Sequence, residues 1–277
     1  AKPQIIESSE STNRSPEKLA AQNKEITQPE TAIVTTVVDN TVTPLTEKVE
    51  QIAKRPESQV TPTLSKLLDS ATEEVTMNAW TGLFRRWGFD SNAKSEALSC
   101  SQASRVGLQC LKGSGSWKSI TRYNRPVILV MTASNARPVP VLLERVDKNV
   151  ATVMIDEERM TVSAAEIQQH WLGKFRLLWQ LPPGGHSVLR PGERNADVQW
   201  LREQLQKEVG ESELTASSSF YSFRVKKLLR QFQINRGLSA DGIAGPETLI
   251  FINSIDAENT KIPLLMADSS NLNKGEN

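Results

Sequence analysis

The apolar positions of this chain change their period several times, and the changes mark out its organisation. Trp80, Leu83, Phe84 and Trp87 recur at helical spacing, and Gly88 follows as a cap. Ala97 to Val106 reads as another helix, after which Gly107-Leu108 turns the chain into Cys110-Leu111. Trp117 to Tyr123 reads as a further helical turn before Asn124-Arg125-Pro126. The period then shortens. Val127 to Met131 is a short apolar run, Val139 to Val146 and Val150 to Ile155 are β-rich, and Arg159 to Val162 is a return strand. Asp147-Lys148-Asn149 supplies a turn between two of them, which predicts antiparallel pairing. Ser163 with Glu166 makes a capping-box pattern for a helix ending near Trp171, and Phe175 to Gln180 is a closing strand.

Past Pro182-Pro183-Gly184-Gly185, a linker pattern, the helical period returns. Asp197-Val198, Trp200-Leu201 and Leu205 mark one helix. Val225, Leu228, Leu229 and Phe232 mark a second, ended by Arg236-Gly237, where glycine takes a left-handed cap freely. Leu238, the turn pair Asp241-Gly242, Ile243 and Gly245 precede a third helix opened by Pro246. A polar, serine-rich loop from Glu211 to Ser219 joins the first two. The fold class is α+β: an antiparallel-sheet domain followed by a small three-helix bundle.

Upstream the texture is different. Residues 1–71 are rich in Thr, Ser, Pro, Glu, Gln and Lys, with few aromatics, and cannot bury enough apolar surface to offset the entropy of ordering. They read as a linker whose coil would span roughly 45–50 Å root-mean-square. Weak helical patches lie at Leu45–Ala53 and at Leu64, Leu67 and Leu68, and Ile33–Val42 is β-branched. The expected division is therefore 1–71 linker, 72–183 sheet domain, 187–256 bundle and 257–277 flexible tail.

Composition narrows the function. Thirty-three basic residues against 32 acidic ones leave a net charge of +1, which gives no global electrostatic case for nucleic acid. Lys226, Lys227, Arg230 and Arg236 cluster locally on the second bundle helix and read first as a solvated face. No run of about 18 apolar residues is present, so the chain as given holds no membrane span. AKPQIIESSESTNRS has no apolar core and is not a signal peptide, and a start without Met reads as a fragment or a processed chain. Cys100 and Cys110, ten apart, fit either a disulfide or two free core thiols. His170 and His186 have no ligand spacing to them, so no metal is expected, and nothing calls for a cofactor. Gly113 to Ser119 has Trp117 rather than glycine before Lys118-Ser119, unlike a phosphate loop.

The stretch from Val225 to Thr248 resembles the three-helix peptidoglycan-binding domain. It carries Val225, Phe232-Gln233, Gly237-Leu238, Asp241-Gly242, Gly245 and Thr248 at that family's pattern positions, with Asp197-Val198 and Leu205 in its first helix. Ser218-Ser219 stand where the family usually has a glycine before Phe220-Tyr221. The resemblance implies a wall-polymer groove beside the second helix and the DGIAG turn, with Gln233, Arg236, Asp241, Gly242 and Thr248 as its contacts; turn geometry is the competing role for Gly242. It also implies an extracytoplasmic compartment, in which a Cys100–Cys110 disulfide is favoured. So short a loop would contribute roughly 2–3 kcal/mol.

The preceding domain resembles a papain-like peptidase, the type found in bacteriocin-processing transporters. Cys100 lies near that family's cysteine without its flanking signature, and Asp156 matches its aspartate in strand order. The histidine would fall near Val139-Pro140, and none is there. Without a base to activate a thiolate, the domain reads as degenerate, with no catalytic residue. Together, WTGLFRRWG (80–88), SCSQASRVGLQCL (99–111), NRPVILV (124–130), WLGKFRLLW (171–179) and the bundle motif resemble the periplasmic region of the general secretion pathway protein A family of type II secretion (the ExeA kind). That resemblance implies a periplasmic, non-catalytic module of an inner-membrane protein. Its implied partners are peptidoglycan, the pathway's B protein and further copies of itself, and its implied role is assembly of the secretin through the wall. The rival expectation is a wall hydrolase in which the bundle targets an active middle domain.

Overall fold

A computed structural model describes residues 62–92, 94–209, 218–257 and 261–266. The expectations for Ile33–Val42, Leu45–Ala53, most of the serine-rich loop and 267–277 lie outside the described residues.

Six strands form one antiparallel sheet: β1 (Leu108–Ser114), β2 (Val127–Thr132), β3 (Pro138–Asp147), β4 (Val150–Ile155), β5 (Glu158–Ser163) and β6 (Trp171–Gln180). Their order is β1-β6-β2-β3-β4-β5, so β6 enters between the first strand and the β2–β5 meander. The apolar runs are nearly continuous because both faces are covered. On one face Val127, Leu129, Val141, Leu143, Val153, Leu177 and Trp179 join a core with α1 (Leu64–Ser70), α4 (Trp117–Tyr123) and α5 (Ala164–His170). On the other, Ile128, Leu142, Met154 and Leu178 meet Trp80, Leu83 and Phe84 of α2 (Val75–Arg86) and Ala103 of α3 (Glu96–Arg105). The aromatic stripe is thus core, as the spacing predicts. Gly82 lets α2 settle onto the sheet, where an added Cβ would run into Met154 and Leu142.

Three boundaries differ from those read in the sequence. Helix α1 belongs to the folded unit, with Leu64 and Leu68 fully buried, so that unit begins before residue 72. β1 is a full strand, registered from Leu108↔Gln180 to Ser114↔Lys174. Its sequence has no alternation, and its pairing with β6 creates it. At the other end, the 257–277 tail is not free throughout. Leu265 is fully buried, its carbonyl accepts from the Val146 amide at 2.9 Å, and the Met266 amide donates to Asn124 Oδ1 at 2.6 Å.

The bundle comprises α6 (Ala196–Val209), α7 (Phe223–Asn235) and α8 (Pro246–Asn253). Asn195 Oδ1 caps α6 by accepting from the Val198 amide, and Ser222 caps α7. The α7 terminus closes as expected: Gly237 has φ +58°, its amide donates to Ile234 O and that of Leu238 to Gln233 O, a Schellman arrangement.

Sheet domain and bundle share one core, and a polar seam crosses it. Arg125 is 1% exposed; its guanidinium donates to Asn124 O at 3.0 Å, Ile250 O at 3.2 Å and Ser254 Oγ at 3.0 Å. Tyr123 donates to Glu247 Oε1 at 2.7 Å and stacks at a tilt between Phe175 and Phe251. Arg122 lies over Phe251 and donates to the carbonyls of Arg236 and Gly237, which end α7. Burial pushes the Arg125 pKa down to about 10.

Burial also pushes both tyrosines of the chain, Tyr123 and Tyr221, well above the ordinary phenol value; an acceptor bond to Glu247 adds to it for the first, and the charge of Asp241 for the second. A phenol raised in the native state leaves stability untouched below about pH 10 and removes it as pH rises further, because the unfolded chain releases the proton first. Phenolate absorbance should therefore be absent near pH 10 and appear together with loss of the native circular dichroism at higher pH. Smooth ionisation near pH 10 with the fold intact would contradict this account.

Candidate functional site

The peptidase-like half can be tested against the arrangement such chemistry needs. Asp156 sits in the β4–β5 turn at φ +53°, and its carboxylate accepts from the Thr72 amide at 2.9 Å, Thr72 Oγ at 2.8 Å and Asn78 Nδ2 at 3.3 Å. The helix whose N-terminus approaches the aspartate is therefore α2, and its first residue is the buried Val75. The correspondence drawn for Cys100 needs correcting: it lies on α3, bonded to Cys110 of β1. These are the chain's two cysteines, so neither offers a thiolate. Val139, at the expected histidine position, is fully buried. His170 ends α5, and His186 Nδ1 lies 2.7 Å from Asp197 Oδ2, away from any sulfur. Among the described residues no three potential ligands gather for a metal.

In the bundle, four of the five residues expected at the wall groove, Gln233, Asp241, Gly242 and Thr248, meet at one turn, while Arg236 pairs with Glu208 of α6. Gln233 is 1% exposed and forms a hub. Its amide nitrogen lies 3.0 Å from Asp241 Oδ1, 3.0 Å from Ile243 O and 3.2 Å from Thr248 Oγ, and its oxygen accepts from the Gly242 amide at 2.9 Å. With Thr248 also buried, both polar groups are spent inside the fold. Gly242 is fixed twice over. Its φ is +73°, and a Cβ would stand 2.7 Å from Lys226 Cγ; its carbonyl accepts from Tyr221 at 3.0 Å.

Asp241 is exposed and receives the Ile243 amide at 2.8 Å. Arg236 is half-buried, paired with Glu208 at 2.6 Å and laid over Phe232. The stems of Lys226 and Arg230 flank the turn. The surface around the DGIAG turn thus presents Asp241 with Lys226 and Arg230 over a backbone held by Gln233.

Sequence reasoning missed the seam. Tyr123-Asn124-Arg125 read as a helix end and a turn, and the pairing of Arg125 with α8 spans 125 residues. It also read Pro182–Gly185 as a plain linker. The fully buried Asp197 holds it instead, accepting from the amides of Gly184 and His186.

If Gln233 is a positioning residue, Gln233→Ala should cost stability before it costs binding. It strands the Gly242 amide and Thr248 Oγ in the interior, at roughly 2–4 kcal/mol. Urea unfolding of the whole chain measures this, and a change under 1 kcal/mol (roughly one net hydrogen bond) would remove the hub from the argument.

Two family models match in succession. "GspA, peptidase C39-like domain" covers residues 65–181, and "Putative peptidoglycan binding domain" covers 194–252. The chain is 26% identical over 195 residues to "General secretion pathway protein A" of Aeromonas hydrophila, covering 70% of this chain and 35% of that protein. It is also 26% identical over 216 residues to "Putative general secretion pathway protein A" of Escherichia coli K12, covering 77% and 42%. It therefore spans about two fifths or less of these relatives. A crystal structure of a periplasmic domain of the EpsAB fusion protein of the Vibrio vulnificus type II secretion system is similar at 21% identity, covering 67% of this chain and 82% of that one, with a TM-score of 0.47. The chain thus carries a GspA peptidase C39-like domain followed by a peptidoglycan-binding-type domain, and over both it is similar to the general secretion pathway protein A of these two organisms.

Proposed function

We propose that this chain is a non-catalytic periplasmic module that holds peptidoglycan through its bundle and a secretion-pathway protein through its peptidase-like domain, so helping the type II secretin assemble through the wall. The observation that carries the reading is the succession of the two domains in a chain whose two cysteines are bonded to each other. A peptidase of this type acts through a thiolate, and a disulfide sulfur is not one. The wall contact is assigned to Arg236, Asp241 and Gly242, with Lys226 and Arg230 beside them. Gln233 and Thr248 serve by holding the turn.

The proposed partner is the pathway's B protein, and modest affinity for the wall is multiplied by several copies of the chain on one polymer. The shared core suits such a bridge. A load taken by the bundle passes to the sheet through Arg125 and Tyr123 rather than through a slack tether.

Removing the bundle outright would strip Arg125 of two acceptors, so point variants make the cleaner test. The whole chain should sediment with purified sacculi, and Arg236→Ala with Asp241→Asn should weaken this about fivefold or more, the equivalent of about 1 kcal/mol. Both should co-purify equally with the periplasmic region of the B protein. Muropeptide composition should be unchanged after incubation. Undiminished sedimentation of the variant would move the wall contact elsewhere, and released crosslinks would favour the hydrolase.

A further inference from the structure

A second surface is unused by this reading. β5 is the last strand of the sheet, and among the described residues no strand pairs with its outer edge. A cavity of about 660 Å³ runs along it, lined by the five consecutive residues Glu158 to Val162 on one side and by Pro62, Thr63 and Leu67 at the start of α1 on the other. It continues past Leu67 and Glu158 into a second cavity of about 540 Å³ that reaches Thr72 and Glu74 at the start of α2. The result is a groove between an open strand edge and a helix, the geometry in which an extended peptide adds as a further strand.

Its chemistry selects the occupant. Leu67 and Met160 are half-buried and give an apolar floor, since both pack against the core. The rim carries Glu74, Asp156, Glu157, Glu158 and Glu166. Among the described residues the one cation lining it, Arg159, is already held by Glu144 through two bonds of 2.8 and 3.1 Å. Unpaired strand edges are commonly guarded by charge, and these carboxylates would oppose one another if a second β5 docked there. A self-pairing edge is excluded for that reason, while a segment bearing lysine or arginine at alternate positions gains where a copy loses.

We infer that the β5–α1 groove binds an extended basic segment of a partner protein by strand addition, its main chain pairing with β5 and its cationic side chains meeting the acidic rim. This does not depend on wall binding.

The probe is a labelled, end-blocked Lys-Val-Lys-Val-Lys-Val peptide, titrated into the whole chain and followed by fluorescence anisotropy, with amide exchange measured over residues 158–163. The peptide should bind about tenfold or more tightly than its Glu-Val counterpart. It should weaken about fivefold or more with Glu157→Gln and Glu158→Gln together, and slow exchange of the β5 amides. N-methylation of alternate peptide amides should abolish binding, because the ladder cannot form. Equal binding of the N-methylated peptide would reduce the effect to charge attraction and overturn strand addition. No measurable binding would overturn the site itself. Protection in the free chain of the outward-facing β5 amides, those not bonded to β4, would give the groove to another segment of this same chain, which also overturns the proposal.

Discussion

Arg125 is the group on which the rest of the architecture turns. A guanidinium nearly free of solvent is tolerable only where carbonyl and hydroxyl oxygens replace water, and the sheet domain alone does not supply enough of them. Ile250 and Ser254, from the last helix of the bundle, complete the set. Neither half therefore has its native interior without the other. The arginine does little to favour burial by itself, as its lowered pKa indicates. Its role is selective: a shifted docking of α8 would leave a charge without partners, which costs several kcal/mol. Apolar contact from Tyr123, Phe175 and Phe251 supplies the attraction, and Arg125 fixes its geometry.

The same economy is visible in the peptidase-like domain. The two carboxylate oxygens of Asp156 pin Thr72 and Asn78 at the start of α2. Val75 fills the first turn of that helix with an apolar side chain. The cysteines lie instead on α3 and β1, where their bond fastens a helix to an edge strand that has little pattern of its own. Carboxylate bonds, an apolar first turn and a disulfide thus hold this part of the domain together.

In the bundle, a motif that invites a binding interpretation resolves into two layers. Gln233 lies beneath the turn, accepting from the Gly242 amide and donating to Thr248, and Gly242 supplies a left-handed backbone position with no Cβ to meet Lys226. Asp241 and the cations lie above. A pattern shared by a family reports both layers at once. Spacing alone does not separate the residue that meets a ligand from the one that shapes the surface meeting it.

The sequence by itself determined the elements and the class of the fold. Trp80, Leu83 and Phe84 at helical spacing, VILVM flanked by turn signals, and Gly237 after an amphipathic run each carry local information, because period and turn chemistry act within a few residues. Only the tertiary structure decided that β1 is a strand, that α1 and Leu265 belong to the core, that Gln233 is internal, and that Arg125 joins the two halves. Apart from Gln233, whose partners lie 8 to 15 residues on, each of these rests on a partner scores of residues away, as with Leu108 and Gln180 or Arg125 and Ile250. No local pattern encodes such a pairing; it exists only once the chain has closed on itself.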